Sequence, residues 1–173
     1  FRSASIFKQF QAKSGWQLGS PASDPDSTLE QPFRDEEIVT ITKQFIDLPH
    51  EVLRGFDLKY LARARVGRNV DNAAGIYYIE KKKILLTDAA FYNSMEMYGE
   101  GTVLHEFGHS WWFSQNAYFN KLFNQISWQL NGDKWEKKES GIKGFVSLYA
   151  STKPEEDFAE SFSAYIHQPE KLR

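Results

Sequence analysis

The stretch Val103-Leu104-His105-Glu106-Phe107-Gly108-His109-Ser110-Trp111 decides the fold of this chain. Its apolar residues recur at helical spacing and would bury one side of a helix. These apolar residues are Val103, Leu104, Phe107 and Trp111. His105 and His109 are one helical turn apart, so both imidazoles lie on one face and can point at one metal ion. Glu106 lies beside them, where it can accept a proton from a water that the metal activates.

Two imidazoles with a carboxylate favour Zn²⁺, which in catalytic sites binds three protein ligands and leaves a fourth position for water. One known class takes its third ligand from H-E-x-x-H-x-x-G-x-x-H. Here Trp112 occupies the glycine position and Gln115 the histidine position, so that class is excluded. His50 and His167 remain as possible ligands, although no surrounding pattern supports either one.

A later segment offers better ligands. Pro154 to His167 predicts a helix, with proline in the first turn and acids directly after it. Its candidate carboxylates are Glu155, Glu156, Asp157 and Glu160. Glu156 and Glu160 are one turn apart and share a face, so one could bind the metal while the other braces a ligand. The spacing alone does not choose between them.

These motifs resemble a known family. His105-Glu106-Phe107-Gly108-His109, followed by Tyr149 and then by Glu156-Asp157-Phe158-Ala159-Glu160, is similar to the catalytic domain of anthrax lethal factor and its relatives. Those relatives include the secreted bacterial Pro-Pro endopeptidases. The resemblance covers roughly Gly75 to Ile166 and includes a hairpin before the metal helix. Residues before Gly75 have no counterpart that we can place.

The resemblance implies a zincin-like fold and assigns roles to the site residues. His105, His109 and Glu156 would bind zinc, and Glu106 would be the general base. Tyr149 would stabilise the oxyanion, and Glu160 would be a hydrogen-bonding partner of a ligand. The resemblance also implies a secreted or extracytoplasmic protein, although the chain itself carries no signal peptide.

Composition limits the other function classes. The chain has 173 residues, a formal net charge of −2 and 25% charged residues, which is typical of one globular domain. The near-neutral charge argues against a nucleic-acid-binding protein. No apolar run is long enough to span a membrane. The absence of cysteine excludes disulfides and thiolate ligands.

The order of predicted elements indicates an α+β fold: a helix, a small sheet, then helices. Leu58–Val66 predicts a strand, and Gly75–Glu80 with Lys83–Thr87 predicts a hairpin. We expect a single domain over residues 1–173, with 1–34 as a peripheral N-terminal arm. Lys81-Lys82-Lys83 would be a solvated hairpin tip.

The predicted function is that of a zinc endopeptidase. Its peptide substrate would lie extended along a sheet edge, for which Asn72–Tyr78 is the candidate. One alternative is another zinc amidohydrolase, and a second is a catalytically silent zinc-binding module. Structural zinc sites close all four positions with protein ligands, so three ligands with a neighbouring base favour catalysis. No oligomeric state follows from the sequence.

Overall fold

The computed structural model describes residues 2–45, 48–65, 73–92, 99–138 and 143–172. The helices in these ranges are α1 (Arg2–Ser14), α2 (Asp35–Phe45), α3 (His50–Gly55), α4 (Ala89–Tyr92), α5 (Gly99–Ser114), α6 (Ala117–Ser127) and α7 (Pro154–His167). The strands are β1 (Gln17–Leu18), β2 (Glu30–Gln31), β3 (Tyr60–Ala64), β4 (Gly75–Tyr78), β5 (Lys83–Leu86), β6 (Trp128–Asn131) and β7 (Lys134–Lys137). This mixture agrees with the predicted α+β class. No helix among the described residues has the length and apolar character needed to cross a membrane.

One mixed sheet runs in the order β1-β3-β5-β4, and β2 pairs with the far end of β3. β3 and β5 are parallel, whereas β4 pairs antiparallel with β5. In the described part of the sheet β4 is therefore an edge strand, as predicted for Asn72–Tyr78. Asn72 itself, and Val66 at the end of the predicted strand, lie outside the described residues.

The main core lies between one face of this sheet and helices α1, α2 and α5. Alternation along the strands sends Leu61, Ile84 and Leu86 into this core. Phe107 of α5 is fully buried at its centre, with ring centroids 4.3 Å from Phe45 and 4.6 Å from the indole of Trp16. Burying this side of α5 turns the opposite side toward the edge strand and α7, which is the arrangement that the sequence predicts.

The segment expected to be peripheral contributes to the core. Phe7, Phe10 and Trp16 are each less than 10% exposed and pack in the main cluster. β1 and β2 also pair with β3, so this segment adds strands to the sheet. Its proline- and serine-rich composition therefore marks an irregular segment that nevertheless packs on the sheet. The extent of the domain remains a prediction.

The lysine run is not a simple solvated tip. Lys81 and Lys82 lie in the turn between β4 and β5, but Lys83 begins β5 and is only 1% exposed. The Lys83 ammonium lies 3.1 Å from carboxylate oxygens of both Asp24 and Glu30. A buried ammonium needs such partners, since an unpaired one would carry a large desolvation cost.

The C-terminal half follows the sequence prediction in one helix and departs from it in two places. α7 spans Pro154–His167, as predicted. The charged composition of Asn131–Ser140 predicts a loop, but the segment contains β7, which forms a hairpin with β6; Glu139 and Ser140 lie outside the described residues. The helical spacing of Tyr118, Leu122, Phe123, Ile126 and Leu130 predicts an apolar helix face, but of this row it is Phe123 that packs on other rings, those of Trp112 and Phe158. The exposed members are Tyr118, Leu122, Ile126 and Leu130.

An ion cluster lies on the face of the sheet away from the main core and consists of Asp24, Glu30, Lys81 and Lys83. We expect its contribution to the stability of the fold to decrease in acid. The Lys81 ammonium, 2.9 Å from Asp24, holds the pKa of that carboxyl well below its usual value of 3.8. A carboxyl whose pKa is lower in the folded than in the unfolded state stabilises the fold at pH values above its unfolded-state pKa. This stabilisation is lost as the pH falls toward the folded-state pKa. Asp24→Asn should lower the free energy of unfolding at pH 7, and this difference should shrink below about pH 4.

Urea unfolding of the parent and the variant at a series of pH values measures this difference. Asp26→Asn is the matched control, because Asp26 also pairs with Lys81 but its side chain is 45% exposed. Asp26→Asn should lower the free energy of unfolding by less than Asp24→Asn does, since solvent screens an exposed ion pair. An Asp24→Asn penalty that is unchanged at pH 3 would contradict the assignment.

Candidate metal centre

The site depends on how closely α5 and α7 approach each other. Gly108 of α5 packs directly on Ala159 of α7: a Cβ atom at Gly108 would lie 2.7 Å from the Ala159 Cα. Only a glycine permits this distance. The crossing places His105 and His109, on one side of α5, opposite Glu156 at the start of α7.

Three possible ligand atoms converge at this crossing. The Glu156 Oε2 lies 3.1 Å from the His105 Nε2 and 3.2 Å from the His109 Nε2. All three atoms lie within 4.8 Å of one another. Ligands about 2.0–2.1 Å from a tetrahedral zinc ion are separated by roughly 3.3 Å. The three residues therefore fit zinc in both type and spacing.

One buried oxygen supports this fit. Among the described residues, the Glu156 Oε2 is buried and makes no regular hydrogen bond, and the two imidazole Nε2 atoms, which are the other candidate ligands, approach it. A buried carboxylate oxygen in that state carries a desolvation cost that a bound cation would offset. Glu156 Oε2 is also the atom on which both imidazoles converge.

The charges of His105 and Glu156 influence each other strongly. Burial opposes a positive charge on His105, but the carboxylates of Glu156 and Glu160 outweigh it and raise the pKa of the imidazole to about 9. Burial likewise opposes a charge on Glu156, but the two imidazoles hold the pKa of its carboxyl well below the usual value. A metal ion must therefore displace a proton from His105 in order to bind.

A second carboxylate fixes the orientation of His105. The Glu160 Oε1 lies 2.8 Å from the His105 Nδ1, while the Glu160 Oε2 accepts a hydrogen bond of 2.7 Å from the Ser147 hydroxyl. With Nδ1 donating to Glu160, the Nε2 atom of His105 is the one available to a metal. Ser147 also accepts a hydrogen bond from the backbone N–H of Ala150, which ties the preceding loop to the site.

Glu106 lies beside the group and against the edge strand. It is 6% exposed, and the backbone N–H of Tyr77 in β4 hydrogen-bonds to it. A Cβ atom at Gly75 would lie 2.5 Å from the Glu106 Cγ, so glycine is required where β4 passes over this side chain. Burial raises the pKa of the Glu106 carboxyl, an effect that His105 and His109 partly offset.

Tyr149 lies close to the group. Its ring centroid is 5.6 Å from that of His105, and the side chain is 53% exposed, so it is not a core aromatic residue. Burial of the hydroxyl and the adjacent Glu156 carboxylate raise the pKa of the phenol to about 12. The hydroxyl therefore remains protonated at neutral pH and can donate a hydrogen bond.

The remaining candidates lie elsewhere. Asp157 is directed away from the group, toward the Trp128 indole N–H, which donates to it at 2.9 Å. Burial raises the pKa of its carboxyl to about 6. Within the described residues, Glu155, His50 and His167 do not belong to the metal-binding group. Asp157 instead lines an apolar cavity of about 1010 Å³ on the opposite side of α7.

Two contributors to the site were missed by the sequence analysis. Ser147 orients Glu160, and no motif indicates it. Gly75 makes room for Glu106, but in the sequence it reads only as the first residue of a strand. Their roles depend on tertiary contacts, so neither has a local signal that could have identified it.

The close crossing of α5 and α7 yields a prediction. In Gly108→Ala the added methyl group would collide with the backbone of Ala159. These atoms cannot move unless the helix moves with them, so α7 should shift away from α5. We expect zinc affinity to fall by about tenfold or more, in the range typical of changes that misorient a ligand. Competition with a chromophoric chelator measures the affinity.

Gly101→Ala is the matched control on the same helix. A Cβ atom there would lie 3.6 Å from the Ser163 Oγ, an ordinary contact. This variant should keep its zinc and gain roughly 0.5–1 kcal/mol of stability, since alanine is the better helix former. Equal zinc affinity in the Gly108→Ala variant and the parent would refute the role of the crossing.

The two glutamates of α7 should differ in their effects. Glu156→Ala removes the atom that both imidazoles approach, so tight zinc binding at neutral pH should be abolished. Glu160→Ala leaves the three converging atoms in place and should weaken zinc binding or activity by about 10–100-fold. Metal analysis after dialysis, together with a titration of zinc into the apoprotein, distinguishes the two. The reverse order would show that Glu160 is the ligand.

Comparison with known proteins agrees with the geometry. A family model described as "putative zinc-binding metallo-peptidase" matches residues 67–172, which include all of the residues that form the metal-binding group. No curated protein and no solved structure gave a match to the chain. The match covers more than half of the sequence, and the family's metal is the one that the His-His-Glu group fits. The chain therefore belongs to this family of zinc-binding metallopeptidases.

Proposed function

We propose that this protein is a zinc endopeptidase of zincin-like fold, related to the lethal factor and Pro-Pro endopeptidase group, with a glutamate as third ligand. The observation that carries the proposal is the position of Glu106. Its carboxylate is buried beside the three converging ligand atoms without being one of them. A structural zinc site needs only its ligands and no neighbouring carboxylate, whereas hydrolysis requires a general base at this position.

Bound zinc would supply Lewis acidity, which makes water more acidic and polarises the carbonyl of the scissile bond. Glu106 would accept the proton of the attacking water and deliver it to the leaving amine. Two features suit Glu106 to this role. Burial raises the pKa of its carboxyl, which makes the carboxylate a stronger base, and the N–H of Tyr77 holds the side chain in one orientation.

Tyr149 would stabilise the charge that develops on the carbonyl oxygen. Its hydroxyl lies close to Glu156 and, with a pKa of about 12, stays a hydrogen-bond donor throughout the neutral range. The side chain is half-exposed at the margin of the site, so a substrate can reach it. A hydrogen-bond donor directed at a developing oxyanion in a site that excludes water stabilises the transition state far more than a donor in water does.

The substrate would bind along the open edge of β4. This strand pairs with β5 on one side only, within the described sheet, and its first residue packs on Glu106. A peptide added to this edge would be positioned by main-chain hydrogen bonds, with its scissile bond held near the base. Secretion of the protein remains a prediction from the family resemblance.

Glu106→Gln tests the mechanism. The amide can still hydrogen-bond to water and to the Tyr77 N–H but cannot accept a proton. Zinc content and melting temperature should stay close to those of the parent, while peptide turnover falls by about 10²–10⁴-fold or more. Glu155→Gln is a matched control, since Glu155 lies on α7 outside the metal-binding group, and it should keep its activity.

The assay is a digest of a peptide library read by mass spectrometry, with acetylated and sugar-bearing amides tested in parallel. Cleavage of amides alone would favour the alternative of another zinc amidohydrolase. Activity in the parent should disappear with a chelator and return with zinc. A zinc-loaded parent that hydrolyses none of these substrates would favour a silent zinc-binding module and refute the proposal.

A further inference from the structure

An exposed aromatic side chain continues the metal-binding face of α5. Phe113 follows His109 by one helical turn, and their ring centroids are 6.4 Å apart. Phe113 is 42% exposed, although it lies directly beside the buried group. A single exposed phenylalanine is not unusual on a protein surface. Its position, on the same helix face as both imidazoles, is what distinguishes Phe113.

Phe113 is held in place by the edge strand. Its ring stacks on that of Tyr77, with centroids 6.1 Å apart and planes 24° apart. The Tyr77 hydroxyl donates a hydrogen bond of 2.6 Å to the Asp57 carbonyl oxygen. Tyr77 is partly buried against the main core, so the two rings form a fixed apolar surface. We refer to Tyr77 and Phe113 as the aromatic pair.

The carboxylate beside the Tyr77 hydroxyl is already paired with a lysine. The Asp57 carboxylate, close to the Tyr77 hydroxyl, forms an ion pair of 2.6 Å with Lys82. An anionic substrate side chain resting on the rings would lose water without gaining a partner of opposite charge. An apolar side chain would instead lose only unfavourable contact with water.

The register of β4 relates the aromatic pair to the scissile bond. Gly75 packs on Glu106, and Tyr77 is two residues further along the strand, so both positions project toward α5. A peptide paired with β4 would send alternate side chains to that same face. A side chain opposite Tyr77 is therefore within about two residues of the peptide group held at Glu106.

We propose that the aromatic pair selects the substrate: it binds a large apolar side chain, best an aromatic one, within two residues of the scissile bond. This inference rests on the proposed peptidase function and on binding along β4. It assigns to Phe113 a role in specificity, and to Tyr77 the role of holding Phe113 in place.

The experiment starts from a peptide that the zinc-loaded parent cleaves. Each residue within two positions of its scissile bond is changed to Phe, Leu, Ala or Glu, and kcat/KM is measured for every peptide. At one position the parent should prefer Phe over Ala by about tenfold or more. Phe113→Ala should bring this ratio close to one, while Phe113→Leu should retain part of it. Zinc content confirms that each variant is loaded.

Phe119→Ala is the matched control. Phe119 is 37% exposed and contacts the ring of Phe158, on the α6 side of α7. The Phe119→Ala variant should leave the ratio of kcat/KM for the Phe and Ala peptides unchanged. A ratio undiminished in Phe113→Ala, or a parent that favours Glu at every position, would overturn the inference while the peptidase function stands. A loaded parent that cleaves no peptide would instead overturn the proposed function, and this inference with it.

Discussion

The contact between Gly108 and Ala159 is the constraint on which the site depends. The two helices approach so closely that α5 has no room for a side chain at this point, since a Cβ atom at Gly108 would lie 2.7 Å from the Ala159 backbone. The distance between the helices sets the distance between ligands on either side of the contact. Glu156 is then brought to within 3.2 Å of both imidazoles, although it is distant from them in sequence.

The same short segment of α5 serves both the core and the site. Phe107 anchors the helix among the aromatic rings of the core, and this fixes the rotation of the helix about its axis. His105 and His109 are thereby turned toward α7, while Glu106 meets the edge strand. The packing that stabilises the helix also buries Glu106, which is 6% exposed. One packing arrangement thus determines both the geometry of the site and the raised pKa of its base.

The features that the sequence could predict are those with a local pattern. His105 and His109 lie one turn apart, α7 has a proline and acids at its start, and the hairpin has two β-rich runs, so each has a signal in the sequence alone. Long-range contacts have no such pattern. Nothing in the composition near Trp16 indicates that it enters the core, and nothing near Lys83 reveals its two carboxylate partners. The choice between Glu156 and Glu160 likewise needed a family resemblance, because helical spacing treats them alike.

The central claim is that one zinc ion is held by two imidazoles from α5 and one carboxylate from α7. X-ray absorption spectroscopy of protein loaded with one equivalent of zinc tests this most directly. We expect two imidazole nitrogens at about 2.0–2.1 Å, with the remaining ligands oxygen, and loss of one oxygen ligand or of the tightly bound zinc in Glu156→Ala. A spectrum with one imidazole or none, or one that Glu156→Ala leaves unchanged at full occupancy, would contradict the account.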